Sequence, residues 1–285
     1  MKKFCIITNP EKDREYILTS KIEAYLESRG MLSYRAKETK GKQYGFVDPE
    51  SLEKDTDCAI VLGGDGTLLH AASQLSEFGI PLLGMNLGTL GFLAEVRKED
   101  VEEALHKYLS GDYYIEEHMV LKGVFKDKHI HVLNDIVISA NGFSRLVSLD
   151  MYINGVSLSQ YAGDGLLIAT PTGSTAYNLS AGGPVLAHDS KMIVVTPVCP
   201  HSLSNRSLVL SDDDSLSIEC GRRGNNTESE VAVTADGVFC CTLKEGDRIE
   251  IAKSERTAKL IRFEKEAFYK ALRNKLGWGF KPEKM

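Results

Sequence analysis

The chain contains no apolar stretch approaching the ~18 residues that a membrane-crossing helix requires, so membrane insertion is not expected. Zinc chemistry lacks its usual signature: the 6 cysteines are scattered, with no Cys-x-x-Cys spacing and no histidine pair that would accompany it. Positive charge is not in excess, since 34 Lys and Arg stand against 40 Asp and Glu for a formal charge of −6. That balance argues against wide nucleic-acid or anionic-membrane surfaces, but a local basic cleft for a phosphorylated metabolite remains compatible with it. Internal repeats and low-complexity tracts are missing. The opening run Met1 to Thr8 is too short and strand-like for a signal peptide, which makes a cytoplasmic location and reduced core thiols the expectation.

At 285 residues, 42% hydrophobic and 26% charged, the chain has an ordinary globular composition and enough length for about two domains. Up to about residue 110, strand-like and helix-like segments alternate. Strands are expected at 3–8, 58–62 and 80–85, with helices over 11–29, from Leu68 through Leu75, and from an Asp100-x-x-Glu103 capping box. Alternation of this kind predicts a parallel sheet covered by helices, with ligands beyond the carboxyl ends of the strands. Beyond residue 112 the rhythm changes to short strands, among them 130–139, 247–252 and 258–263, before a terminal helix over 265–276. The expected organisation is an α/β domain over 1–112, a β-rich domain over 113–263, and a C-terminal helical segment over 264–285.

The most informative motif is Gly63-Gly64-Asp65-Gly66-Thr67, at a strand-to-helix junction. Without Cβ atoms at 63, 64 and 66 the backbone can adopt positive φ and let phosphate oxygens approach its N–H groups, while the helix N-terminus favours an anion. A carboxylate does not belong in a pure anion cradle. Asp65 is therefore expected to face a hydroxyl to be deprotonated or a magnesium ion, unless the run is only a tight turn with Asp as a cap.

A second glycine-rich loop runs from Gly84 to Leu93, with Asn86, Gly88 and Thr89 suited to a phosphate or sugar and Phe92 to a flat base. The Asn134-Asp135 pair interrupts an apolar strand, where burial demands hydrogen-bonding partners such as ribose hydroxyls. Gly163-Asp164-Gly165, Thr170 to Tyr177 and Ser180 to Pro184 form the densest cluster, a donor-rich turn able to hold a dinucleotide. No Gly-x-Ser-x-Gly elbow accompanies its serines, and no Lys follows Gly173 as a phosphate-binding P-loop would need. Thr234-Ala235-Asp236-Gly237 reads as a plain hairpin turn.

In this order the motifs resemble those of the NAD kinases, from about residue 57 to 240 and including Pro197 to Arg206. Gly-Gly-Asp-Gly alone is shared with phosphofructokinases and with diacylglycerol and sphingosine kinases; Thr170-Pro-Thr-Gly-Ser-Thr-Ala-Tyr177 discriminates. The resemblance implies a Rossmann-like α/β N-terminal domain and an all-β, sandwich-like C-terminal domain. It implies phosphoryl transfer from ATP, or in some members polyphosphate, to the 2′-hydroxyl of the adenosine ribose of NAD, giving NADP. Magnesium or another divalent cation would ride on the phosphates, with no dedicated protein cage. The partners would be the small molecules NAD and ATP, without nucleic acid or membrane, and the assembly a homodimer or homotetramer whose pocket can include a neighbouring subunit.

By the same resemblance Asp65 is the proton acceptor. Gly63, Gly64, Gly66, Thr67, Asn86 and Gly88 form the phosphate loops. Asp65, Gly66, His70 and Phe92 line the NAD pocket, Asn134 and Asp135 hold ribose hydroxyls, and Arg145, Ala162, Asp164, Thr172, Thr175, Ala176, Tyr177, Asn178, Leu179 and Ser180 contact the dinucleotide. Two positions depart from the family pattern: Ala162 where a basic residue is common, and Val238 where many members carry a polar one. Other kinases of the superfamily, acting on a sugar phosphate or a lipid, and an NAD(H) or NADP(H) sensor without turnover, are the rival functions.

Overall fold

The computed structural model describes residues 1–37, 39, 45–53, 55–88, 91–141, 146–202, 205–221 and 230–277. In chain order the first elements are β1 (Lys3–Thr8), α1 (Ile17–Ser28), β2 (Leu32–Arg35), β3 (Cys58–Gly63), α2 (Asp65–Leu75), β4 (Leu82–Asn86), β5 (Val96–Arg97) and α3 (Val101–Ser110). They are followed by β6 (Tyr114–Phe125), β7 (Lys128–Val132), β8 (Asp135–Ala140), β9 (Val147–Ile153), β10 (Val156–Gly163), β11 (Gly165–Ala169) and α4 (Tyr177–Ser180). The chain ends with β12 (Met192–Val198), β13 (Leu208–Ser211), β14 (Leu216–Cys220), β15 (Val231–Ala235), β16 (Val238–Leu243), β17 (Arg248–Arg262) and α5 (Ala267–Leu276). Two compact units result: one takes Met1–Glu117 and the chain from Ala258 on, the other His118–Thr257.

The first unit is α/β. Its strands run parallel in the order β2-β1-β3-β4, with the end of β17 beside β4 through Leu260 and Leu82. β3 is buried along its whole length, which its unbroken apolar sequence requires of a strand covered on both faces. Phe4, Ile6, Ile22, Leu26, Ile60, Leu83, Leu105 and Ile261 share one core. Each such side chain contributes roughly 1.5–3 kcal/mol on leaving water. The parallel register aligns Gly63 with Asn86, so the turns that follow β3 and β4 emerge side by side.

Helix boundaries differ from expectation at two places. α1 begins at Ile17 rather than near residue 11, because Glu15 and Tyr16 are left-handed (φ 56° each) and the Asp13 carboxylate instead accepts the N–H groups of Leu18 and Thr19 at 2.9 Å. Asp100 precedes α3, but its side chain makes no capping hydrogen bond, so the expected capping box does not form.

The second unit is all-β and antiparallel. One sheet has the order β13-β12-β11-β8-β15-β16; β10, β9, β14, the first part of β17, β6 and β7 form the facing layer. Ile136, Ile138, Leu166, Ile168 and Val233 of the first sheet share a core with Leu121, Leu149, Ile218 and Ile249 of the other. Val137 and Leu167, one residue out of phase, turn to the opposite face with Val194 and Leu186, as the two-residue period of a strand dictates. The segment expected as one strand over 130–139 is two, β7 and β8. Conversely, 247–252 and 258–263 are one strand, because the polar run between them is accommodated: buried Ser254 accepts the Arg256 N–H at 3.1 Å.

Among the described residues, no helix is long and apolar enough to cross a membrane. All 6 cysteines are free thiols. Cys199 is no core thiol as expected: it lies past the end of β12 in a left-handed turn (φ 47°) and is exposed.

Candidate active site

In the α/β unit, three loops leave the carboxyl ends of β1, β3 and β4. Asp65 is the first residue of α2, directly after Gly64. Its carboxylate is oriented by the outgoing limb of the second glycine loop: Oδ2 accepts the Phe92 N–H at 2.8 Å, and Oδ1 accepts those of Leu93 and Ala94 at 3.2 Å each. A carboxylate offers about four acceptor positions, so three N–H groups leave one on Oδ2. That oxygen lies 3.9 Å from the Lys275 ammonium on α5, which also sits 4.7 Å from the centre of the Phe92 ring. Gly91 is buried, and a Cβ there would run into the Asp65 carboxylate.

Gly63, Gly64 and Gly66 do not use the positive φ open to glycine; Gly64, for instance, is extended at φ −136°. Glycine is required at Gly63 for space instead. A Cβ at Gly63 would stand 2.5 Å from the Thr67 hydroxyl oxygen, and one at Gly64 2.6 Å from the Lys12 ammonium nitrogen. Gly66, in the first turn of α2, is exposed with nothing against it. Asn86 is buried and its Oδ1 accepts the Gly88 N–H at 2.7 Å, shaping the second turn. Thr89 of that loop lies outside the described residues. A cavity of about 510 Å³ is lined in part by Asn86, Gly88, Gly91, Arg97, Lys98 and Lys275. His70 is buried on α2 with its ring stacked on Phe46 at 4.4 Å, and burial holds its pKa below the usual histidine value.

Sequence reasoning missed Arg262. Almost fully buried at the end of β17, its guanidinium donates to the Leu93 carbonyl at 2.6 Å and to Glu116 at 2.7 Å, with Glu95 at 3.6 Å. It thus fixes the backbone that orients Asp65. No local motif marks it; only the closure of β17 against residues 93–95 reveals it.

In the β unit, Asn134, Asp135, Thr172 and the turn after β11 come together. Asp135 opens β8 opposite Ala169, the last residue of β11. The Thr170 N–H donates to the Asn134 carbonyl at 2.9 Å, and the Thr170 hydroxyl to the Leu133 carbonyl at 2.5 Å. Asp236, expected to be a plain turn residue, closes this arrangement. Its carboxylate accepts the N–H groups of Leu133 (3.0 Å), Asn134 (2.8 Å) and Asp135 (3.3 Å), which accounts for the break between β7 and β8. Burial pushes the Asp236 carboxyl up to about 6, against those three N–H groups. Burial and then the Asp236 charge push Asp135 up to about 7. Among the described residues, neither Asp135 side-chain oxygen accepts a hydrogen bond.

The hydroxyls of the turn are not all presented outward. Thr170 and Ser174 are fully buried, and Ser174 donates to the Pro171 carbonyl at 2.6 Å and accepts the Leu186 N–H at 2.9 Å. Buried hydroxyls must be paired, and these pair within the unit. Asn178 is likewise fully buried: its amide donates to Ser174 and Pro184 carbonyls at 3.1 and 2.9 Å, and its oxygen accepts the Thr196 hydroxyl at 2.6 Å. It shapes the turn rather than opening onto solvent. Thr172 is engaged with His118 Nδ1 at 2.8 Å. Tyr177, Ser180, Ala162 and Asp164 are exposed, Thr175, Ala176 and Leu179 half-buried. Val238 begins β16, half-buried. Arg145, and Leu203 and Ser204 of the 197–206 stretch, lie outside the described residues.

A carboxylate heading a helix between glycine turns, in an α/β unit continued by an antiparallel β unit, is the architecture of a phosphotransferase. Residues 4–113 match the ATP-NAD kinase N-terminal domain and residues 133–263 the ATP-NAD kinase C-terminal domain. The chain is similar to the NAD kinase of Lachnoclostridium phytofermentans, at 43% identity over 97% of this chain and 99% of that one. Similarity to the NAD kinase of Lachnospira eligens reaches 39% over 97% and 100% of the two. A yeast NADH kinase solved with NADH superposes with a TM-score of 0.84 at 26% identity, covering 100% of this chain and 90% of that one. The chain belongs to the NAD kinase family.

Proposed function

We propose that the chain phosphorylates NAD with ATP by direct in-line transfer, with Asp65 accepting the proton of the adenosine-ribose 2′-hydroxyl. The oxygen of that hydroxyl bonds to the terminal phosphorus as the bridge to the β-phosphate breaks; ADP leaves and the proton passes to Asp65 Oδ2. The observation that carries this reading is the Asp65 carboxylate itself, held by three N–H groups between two glycine turns with an acceptor position spare. A positioned general base contributes typically ~10²–10⁴-fold. The N–H groups of the turns after β3 and β4 would face the charge of the moving phosphoryl group.

In the β unit, Asp135 is a buried carboxylate with no hydrogen bond to its oxygens, a cost that ribose hydroxyl donors would relieve. Asn134 would hold the same sugar. His70 and Phe92 would line the NAD pocket, and Asp164, Thr172, Thr175, Ala176, Tyr177, Leu179 and Ser180 would contact the dinucleotide, with Asn178 shaping their turn. Magnesium fits a site with a single carboxylate, because it is commonly held by one or two carboxylates plus substrate phosphates. Bound on the donor, it would neutralise phosphate charge. A homodimer or homotetramer is supported by β10, an edge strand that exposes Val156 (70%) and Leu158 (52%) and carries Ala162. The free thiols suit the reducing cytoplasm.

Incubating the purified chain with ATP, magnesium and NAD, and measuring NADP with an NADP-dependent dehydrogenase, tests the reading. NADP should accumulate with time. Tight NAD binding without NADP would mean a sensor, and ATP consumption with fructose 6-phosphate but not with NAD would mean a sugar-phosphate kinase.

A further inference from the structure

The loop after β1 brings a lysine to the two glycine turns. Its backbone is fixed: Asn9 N–H donates to the Leu62 carbonyl at 2.8 Å, Lys12 and Asp13 N–H groups to the Asn9 carbonyl at 3.0 Å, and the Asn9 amide to the Thr67 hydroxyl at 3.4 Å. Asn9 and Asp13, on either side, are buried at 7% and 5% exposure, while Lys12 itself is exposed. The Lys12 ammonium nitrogen lies where a Cβ on Gly64 would be 2.6 Å away and one on Gly88 3.8 Å away. It therefore stands over both turns at once. Among the described residues it forms no ion pair and no hydrogen bond.

An ammonium carried by a hydrogen-bonded loop, over two glycine turns and with no carboxylate paired to it among the described residues, is placed for an anion. We infer that Lys12 binds the phosphate chain of the donor, contacting non-bridging oxygens where the turns after β3 and β4 meet. It supplies from the β1 loop the charge that a P-loop carries on its own lysine, which neither glycine run here contains. The inference rests on the kinase reading above and adds a donor-binding residue to it. Lys275 also lines the cavity beside the second turn, but its ammonium already lies 3.9 Å from the Asp65 carboxylate, whereas Lys12 has no such partner among the described residues.

The test uses the full chain with Lys12→Met and Lys12→Arg. A charge-assisted hydrogen bond is worth enough to change donor affinity by roughly tenfold to a hundredfold. Lys12→Met should lower kcat/KM for ATP by that factor and weaken inhibition by inorganic tripolyphosphate in parallel. The KM for NAD and the melting temperature should stay as in the parent, and Lys12→Arg should recover most of the loss. Unchanged kcat/KM for ATP and unchanged tripolyphosphate inhibition would overturn the inference, as would equal losses toward ATP and NAD. If the parent chain makes no NADP, the kinase reading fails by itself. Calorimetric titration of tripolyphosphate into parent and Lys12→Met then decides Lys12 separately.

Discussion

Asp236 accepts the backbone N–H of Asn134 at 2.8 Å, and through that bond a hairpin turn governs where a strand a hundred residues earlier stops. Asp236 and Gly237 both have positive φ (48° and 77°), the two-residue turn geometry that suits a tight hairpin. The turn aims the carboxylate at Leu133, Asn134 and Asp135 together, so these three N–H groups leave the β-ladder without being orphaned.

Asp236→Ala should therefore destabilise the β unit by about 2–4 kcal/mol, since several buried N–H groups lose their acceptor. Asp236→Asn should lose less, because its amide oxygen still accepts from one side. Urea unfolding followed by circular dichroism measures both, and an Ala variant as stable as the parent would contradict this role.

Asp135 and Asp236 also set a pH dependence. Both folded-state pKa values, about 7 and about 6, lie above the ordinary carboxylate value, so in the window between the two states the folded chain binds more protons than the unfolded one. Stability contributed by these groups is complete below pH ~4 and is lost as the pH rises toward 7. Asp135→Asn should flatten that slope and raise neutral-pH stability, while weakening NAD binding about tenfold or more if the carboxylate receives ribose hydroxyls. Urea midpoints from pH 5 to 8, paired with NAD titrations, check the sign.

Asp65→Asn should reduce kcat by at least ~10²-fold with NAD affinity retained. The amide must point its NH₂ at one of the backbone donors from Phe92, Leu93 or Ala94, so a modest loss of ~1–3 kcal/mol in stability should accompany it. Steady-state rates with both substrates saturating decide the catalytic part; near-parent turnover removes Asp65 from the proton-accepting role.

Arg262→Met should cost ~3–5 kcal/mol, because Glu95 and Glu116 would keep their charges half-buried without the guanidinium. Burial already raises the Glu95 pKa despite Arg262. Turnover should fall as well, since the Leu93 backbone loosens around Asp65. Arg262→Lys should recover only part, lacking the fork that reaches both the Leu93 carbonyl and Glu116. Thermal melting and kcat together distinguish this from a purely structural change.

Motifs defined by local sequence were legible: the α/β rhythm, the antiparallel β unit and Asp65 at a strand-to-helix junction follow from apolar periodicity and glycine placement. Contacts between distant segments were not. Nothing near residue 12 or 262 announces that those side chains reach the glycine turns or the Leu93 carbonyl. The Ser and Thr residues of 170–180 were read as outward donors because sequence carries no burial; in the fold, Thr170 and Ser174 are spent on internal carbonyls. The glycines at 63 and 64 were read for backbone freedom; in the fold neither has positive φ, and at 63 the missing side chain leaves room for Thr67.

The Arg262 guanidinium grips the Leu93 carbonyl across 169 residues of chain. Until residue 262 has been made, the 92–94 backbone that orients the Asp65 carboxylate therefore lacks this brace. Truncation ahead of Arg262 should lower turnover even where both glycine turns and the 170–180 turn are present.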